Sequence, residues 1–585
     1  MHQTVPEFFR PGGPTAQTKF PMDDENGHRR MATTCIRYLM LCNANTTLTD
    51  HLSDIRLWGS KNFEAHVSYL HQRPFITYAL NYLERHIKRC GEDSRISGLL
   101  SQFREQLTNL QNPVYYVFEN WVTHNRCLGV AGNTQNSVDA KNFRNMLLHT
   151  ATRKKYSRVV ETLLVAGAEV EACQDGRTAL MVAAESGDFA TVQVLLDQGA
   201  GTEATDGFNR TALHLAALNG HTAVVGLLID RGANMEAGDR NEQRGLHLAA
   251  AIGHSAVAKL LIHRGANKEA TDYCGKRGLH LAAGNGHTAI VELLIDRGAD
   301  KEAEDNKKQR GLHLAASNGH TAIAELLIDR GVDKEAVTHQ QQRALHLAAS
   351  NGHTAIVKLL LDRGADKEAI TRQQQRGLHL AARDGHTAIV ELLINRGADK
   401  EAKDNGKLRG LHYAAGNGHS AVVRLLIERG ADIEAADEEK QRGLHHAAQN
   451  GHNHVIELLV GRGAKIEAQD LFGWRALHMA ARSGHTGTVQ MMVQDLGANK
   501  EAKDRCGWTA LHVASIAGQD AIIQMLVQTL GAEKEAKDNI GWTPLHFVAA
   551  LGLKDTARLL VQILNVDKKA QNKQGKTAMK LAQKL

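Results

Sequence analysis

Histidine is the first residue type to invite a chemical reading, because the chain carries 32 of them and imidazole is the commonest metal ligand. Their spacing argues against a metal site. Twelve stand second in a Leu-His pair, at His149, His214, His247, His280, His313, His346, His379, His412, His445, His478, His512 and His546. Nine more follow a glycine, at His221, His254, His287, His320, His353, His386, His419, His452 and His485. Rows with that period put equivalent rings on stacked helices about 8 to 10 Å apart, whereas a zinc ion needs every ligand atom about 2.0 to 2.1 Å away. The rows are expected to be structural, the rings hydrogen-bonded within the hairpin and turn scaffold, and no metal or other cofactor is expected. The neighbours His445-His446 and the pair His452 and His454 have no acidic or Cys partner at ligand spacing.

Phosphate and acyl chemistry fare no better. Gly575-Lys576-Thr577 ends like a P-loop, but the position five before Gly575, which that loop requires to be Gly, is Ala570. Gly284-Asn285-Gly286-His287-Thr288-Ala289 mimics a dinucleotide fingerprint, yet it joins two helical patterns where the fingerprint joins a strand to a helix. An enzyme would need its site in residues 28–125, and no nucleophile, base and orienter stand there in a recognised order. The reading is therefore non-catalytic, with no small-molecule substrate; an unrecognised site in 28–125 is the enzymatic alternative.

The remaining exclusions come from composition. Cys35, Cys42, Cys90, Cys127, Cys173, Cys274 and Cys506 are odd in number, far apart and never in a Cys-x-x-Cys pair, so neither a disulfide framework nor a zinc knuckle is indicated. A reducing compartment fits, cytoplasmic or nuclear. The formal net charge is +6 over 585 residues, too small an excess to mark a direct nucleic-acid binder. No apolar run reaches the roughly 18 residues that a spanning helix needs, so no membrane partner is expected.

The elements that must carry these residues divide the chain in two. Of the 26 aromatic residues 15 precede residue 140, as do six of the seven prolines, so the first quarter is built differently from the rest. Residues 1–27, with Pro6, Pro11, Pro14, Pro21 and Gly12-Gly13 and no helical period, read as a disordered arm. Residues 28–125 read as a small helical domain, with Phe75, Tyr78, Leu83 and Ile87 spaced along one face after Pro74. Residues 126–142, glycine- and asparagine-rich, read as a linker. From residue 143 the Leu-His pair recurs, with Leu180-Met181 and Met579-Lys580 in its two remaining slots, at steps of 32 once, 33 nine times and 34 three times. A period of that length is two helices and a turn. In the unit around Leu312, Leu312-His313-Leu314-Ala315-Ala316 starts a short helix that Asn318-Gly319 ends, and Ile323, Leu326 and Leu327 give a second helix an i, i+3, i+4 apolar stripe up to Gly331. The rest of each unit reads as a solvent-facing β-hairpin. One unit cannot bury its own stripe, so stacked neighbours must share a core. The fold expected is all-α with short β-hairpins, an α-solenoid of about 14 units with partial ends, Lys576, Lys580 and Lys584 facing outward on the last.

Gly541-Trp542-Thr543-Pro544-Leu545-His546 and Asn351-Gly352-His353-Thr354-Ala355-Ile356-Val357 resemble the ankyrin repeat, and the resemblance covers residues 143–585. It implies a helix, helix, hairpin unit and binding of other proteins through hairpin tips and inner helices, and so a scaffold or regulatory adaptor, for example a transcriptional co-regulator. His28, Ala32, Cys35, Tyr38 and Leu39, with Pro74-Phe75, Tyr78-Ala79, Tyr82 and His86, look like the helical segment of fungal NACHT-ankyrin receptors. That resemblance implies the alternative of a truncated recognition or incompatibility protein without its NTPase.

Eight consecutive units depart from the ankyrin pattern, with Arg where it has Thr, at Arg244, Arg277, Arg310, Arg343, Arg376, Arg409, Arg442 and Arg475. The row could meet an acidic partner, with Arg343, Arg376 and Arg409 central, or fold back onto Asp and Glu of its own and adjacent hairpins. Glu242, Lys308, Gln341, Gln374, Lys407 and Lys440 replace the hairpin glycine; a left-handed non-glycine residue costs about 1 to 2 kcal/mol, so these tips are expected to adopt another turn or to be mobile. Helix text is reused while the tips vary, which is what a recognition surface needs and equally what drift after duplication leaves. Lys307, Gln309, His339, Gln340, Arg372 and Gln373 are the candidate contacts there. By family analogy the inner-helix ends add Ser317, Asn318, Ser350, Asn351, Arg383 and Asp384. Trp474, Trp508 and Trp542 hold equivalent places in three successive units, either as aromatic anchors for a partner or as local packing over adjacent tips.

Overall fold

A computed structural model describes residues 145–582 apart from 147, 156 and 166. The expected arm 1–27, helical domain 28–125 and linker 126–142 lie outside the described residues, as does Lys584. Two compact units divide the described chain, one comprising 145–248 with His263–Ala266 and the other Ala249–Ile262 with 267–582. No described helix is long and apolar enough to cross a membrane.

The second unit repeats one pattern, which four helices illustrate: α1 (Gly278–Asn285), α2 (Thr288–Asp296), α3 (Gly311–Asn318) and α4 (Thr321–Asp329). Leu312, Ala315 and Ala316 of α3 and Ile323 and Leu327 of α4 are at most 2% exposed. The paired alanines let α3 lie close against α1, and Gly319 ends α3 at φ 83°, a left-handed cap open to glycine without a Cβ penalty. Steps of 34 residues place their extra residue at the end of the second helix, where the last turn widens to i→i+5: Leu496, Leu530 and Leu564 N–H bond Met491, Met525 and Leu559. The first unit repeats the scheme in Ala179–Ser186 with Phe189–Asp197 and in Ala212–Leu218 with Thr222–Asp230.

Both histidine rows tie one repeat to the next. In the Leu-His row, His346 Nδ1 accepts the N–H of Arg343 at 3.0 Å, capping its own helix, and Nε2 faces Ala369 O of the following repeat at 2.8 Å. In the glycine-led row, His386 Nε2 reaches Ser350 O of the preceding repeat at 2.9 Å. The expected hydrogen bonding of the rings is present, and it crosses between repeats as well as staying within them.

The hairpins differ from expectation. Among the described residues β-pairing is confined to Cys173–Gln174 against Arg177–Thr178 and an isolated Gln571–Thr577 bridge. Elsewhere the tip is a side-chain-closed turn: Asp305 Oδ1 accepts N–H from Lys307 and Gln309, both at 2.8 Å, and Asp305 N–H bonds Gln309 O at 2.9 Å. The tips lacking glycine do not adopt another turn. Glu242, Lys308, Gln341, Gln374, Lys407 and Lys440 are all left-handed, with φ between 55° and 60°.

Hydrogen bonds from tip to tip hold this cost in place. His339 N–H bonds Lys307 O, Arg372 N–H bonds Gln340 O, Asn405 N–H bonds Gln373 O and Glu438 N–H bonds Gly406 O, at 3.1 to 3.2 Å. Each left-handed residue keeps its neighbours in register for the next bond, and a bond worth about 1 kcal/mol offsets a backbone cost of similar size.

Candidate functional site

The tip ladder presents side chains on a fixed backbone. Lys307, His339, Gln340, Arg372 and Gln373 are exposed, and their main-chain groups carry the ladder bonds. His339 Nε2 also lies 3.1 Å from Asn306 O, which aligns its ring along the row. Gln309 sits lower and half-buried, its carbonyl meeting His280 Nε2 at 3.1 Å.

The eight arginines fold back. Arg244, Arg343, Arg376, Arg409, Arg442 and Arg475 lie 2.7 to 3.0 Å from the Glu eight residues earlier, namely Glu236, Glu335, Glu368, Glu401, Glu434 and Glu467. Arg277 and Arg310 pair with Glu269 and Glu302 in the same way. These glutamates also bind the following repeat, as when Glu335 Oε1 accepts Asp366 N–H at 2.9 Å and Glu368 Oε1 accepts Asp399 N–H at 2.9 Å. The geometry explains the exchange of Thr for Arg. Thr211, Thr509 and Thr543 hydroxyls bond His Nδ1; Arg keeps the backbone N–H to that nitrogen and uses its side chain to brace the glutamate. Replacing Arg343, Arg376 and Arg409 together with Gln should therefore lower the unfolding free energy measured in urea, by about 0.5 to 1 kcal/mol per residue after screening at these partly exposed pairs. Unchanged stability would return the row to an external partner.

The tryptophans are half-buried and bonded within the chain. Trp474 Nε1 donates to Asp504 Oδ2 at 3.0 Å and Trp508 Nε1 to Asp538 Oδ2 at 3.4 Å, each one repeat on. Trp508 and Trp542 rings stand 5.3 and 4.9 Å from Phe547, and the Arg482 guanidinium lies 5.6 Å from the Trp474 ring. Trp508 and Trp542 thus share Phe547 while Trp474 does not, and exposed Phe472 and Ile540 lie on the tips nearby in sequence.

One column of the first helices changes character in mid-row. Its residues are Leu281, Leu314, Leu347 and Leu380, then Tyr413 and His446. Tyr413 Oη donates to Asp404 Oδ2 at 2.5 Å and accepts from Gln375 Nε2 at 2.6 Å. Burial, then the bond to Asp404, pushes the Tyr413 hydroxyl up to about 12, so it stays protonated. His446 Nε2 lies 2.9 Å from Asp437 Oδ2, an acidic partner that sequence spacing did not reveal because the contact spans nine residues across a turn. Burial works to raise the Asp437 carboxyl, but the bonds from His446 and the Gln441 N–H outweigh it and hold it below its ordinary value. In the next column Gly416 follows Ser350 and Arg383, and the missing side chain opens a cleft of about 420 Å³ bordered by Asp384, Tyr413, His446 and Asn450.

Models of known families match this chain along the same repeats. Ankyrin repeats in sets of three match residues 125–206, 198–272, 279–371, 367–437 and 444–538, and a single ankyrin repeat matches 540–573. The chain belongs to the ankyrin-repeat family. No curated protein matches it significantly. Ankyrin repeats are in general protein-interaction modules without catalytic groups, and the family match begins at residue 125, within the stretch read as domain and linker. In this ankyrin-repeat protein the described residues bring no three His, Cys, Asp or Glu side chains together as a metal site. The sequence reading missed a second arginine ladder at the ends of the second helices, where Arg330 meets Asp296 and Arg396 meets Asp362, both at 2.6 Å. Recurrent Asp-Arg-Gly, with Asp and the next repeat's Arg 34 apart, was the available signal. It also missed the Tyr413 and His446 cleft, whose signal was the break in a leucine column.

Proposed function

We infer that the protein is a non-catalytic adaptor that binds other proteins through its tips and inner-helix surface. The observation that carries this reading is the tip ladder of the second unit, which fixes backbone positions from Cys274 to Lys573 by one N–H···O bond per repeat while leaving Lys307, Gln340, Arg372 and Gln373 exposed, with Lys307 giving way to Gln340 and His339 to Arg372 in successive repeats. Preorganised side chains lose little freedom on binding. Trp474, Trp508 and Trp542 contribute as the rigid floor of the C-terminal tips, and Arg343, Arg376 and Arg409 by holding the loops. A transcriptional co-regulator in the nucleus is one cellular form of such an adaptor, and a truncated recognition protein in the cytoplasm is another. The test places a photo-crosslinking residue in the full chain at 307, 340 or 373, or at Lys358, which is exposed on the second helix Thr354–Asp362. A shared protein adduct from the tip positions and none from Lys358 is the expected result; adducts from Lys358 alone, or none above background, would overturn the reading.

A further inference from the structure

We propose that the cleft at Gly416 accepts a cationic side chain, arginine or lysine, presented by a segment of a partner protein. The proposal rests on the adaptor reading and names the partner's chemistry at one point of its surface. Formal charge is the first reason. The cleft borders Arg383 and Asp384, and Asp404 and Asp437 lie directly behind its tyrosine and histidine walls. Arg383 is committed within the chain, its Nε 3.0 Å from Asp384 Oδ1 and its Nη2 2.9 Å from Asp384 Oδ2 and 3.2 Å from Ser350 Oγ. That pair cancels. The carboxylates of Asp404 and Asp437, 8% and 6% exposed, are met on Oδ2 by a phenol and an imidazole, and on Oδ1 by backbone N–H groups. The Asp404 carboxylate therefore remains a buried negative charge without a cationic partner among the residues that touch it, while Asp437 is met by the His446 imidazole; a charge placed like that of Asp404 attracts a cation more strongly than one in water.

Shape and chemistry agree with the charge. Tyr413 and His446 supply ring walls, and a tyrosine face attracts guanidinium and ammonium groups. His412 lies on the lining too; burial, then the neighbouring His446, pushes its ring down to about 4, so it brings no competing positive charge. Asn450 gives its amide N–H to Gly416 O at 2.8 Å and leaves its oxygen as an acceptor at the rim. The void exists because residue 416 is Gly where the preceding and following repeats have Arg383 and Gln449.

The experiment selects a random displayed peptide library against the full chain at moderate salt and measures each selected peptide on three proteins: the unaltered chain, Gly416→Gln and Tyr413→Leu. Gln449 and Leu380 already occupy these columns in neighbouring repeats, so both variants have precedent in the fold, and each is checked by its thermal transition. The proposal expects peptides sharing one Arg or Lys whose change to Ala, or whose loss of the cleft in Gly416→Gln, weakens binding at least tenfold, with Tyr413→Leu weakening it in the same direction. Peptides that bind all three proteins alike would overturn the cleft and leave the adaptor reading standing. Peptides anchored by an acidic or apolar residue, recovery of no binder, or Gly416-dependent binding of spermidine without any peptide binder would also overturn it.

Discussion

Lowering the pH from about 7 to about 5 should weaken the repeats by about 2 kcal/mol at each of His346, His412, His445 and His512. Burial, in every case the largest cause, pushes these four rings down to about 4 from an ordinary 6.5. Hydrogen bonding shows why the proton is unwelcome. Nδ1 of His346 already accepts the Arg343 N–H, so a proton there would face a donor. The neutral ring is favoured in the fold, so its stabilisation is complete above about 6.5 and erodes as pH falls towards about 4, where the folded ring also takes its proton. Seven further rings of the row, His149, His214, His280, His313, His379, His478 and His546, shift in the same direction with burial again the leading cause. The sum approaches the whole stability of an ordinary domain. Urea unfolding followed by circular dichroism at the two pH values measures it, and an unchanged midpoint would mean that the row is neither buried nor neutral as described.

Gly352→Ala should destabilise by about 3 kcal/mol or more, and Gly364→Ala by only about 1 kcal/mol. Both glycines are left-handed, at φ 81° and 75°, so the backbone penalty is shared. Space separates them. A Cβ on Gly352 would lie 2.7 Å from Cε1 of His386, whereas a Cβ on Gly364 would meet nothing within 4 Å. His386 cannot swing aside without losing its 2.9 Å contact with Ser350 O, a bond between repeats. The same imidazole-on-glycine contact occurs at Gly286, Gly319, Gly385, Gly418 and Gly451, and it ends where Gln519 and Leu553 replace the histidine opposite Gly484 and Gly518. Thermal unfolding of the two variants side by side checks the prediction. Equal losses would show that backbone conformation alone sets the cost.

These two predictions separate what was legible in the chain from what was not. The period, the paired helices and their glycine stops could be read because they depend on residues three to five apart, where local hydrogen bonding and one apolar stripe decide the outcome. Both histidine rows were recognisable as structural from their period, although their partners were not. The left-handed turns at Lys308, Gln341 and Gln374 ran against local preference; the bonds that outweigh it come from a tip one repeat away.

By itself, then, the amino-acid sequence determined the helix pair, its thirty-three-residue step and the family, since each is a local pattern copied many times. Tertiary structure alone decided that the arginines brace glutamates, that the indoles of Trp474 and Trp508 bond the next repeat, and that a cleft opens at Gly416. Those outcomes depend on contacts across a turn, eight or nine residues apart for the arginines and for the Tyr413 and His446 walls, and roughly a repeat apart for the indoles, so only the folded turns and their stacking could choose among the pairings that the sequence left open.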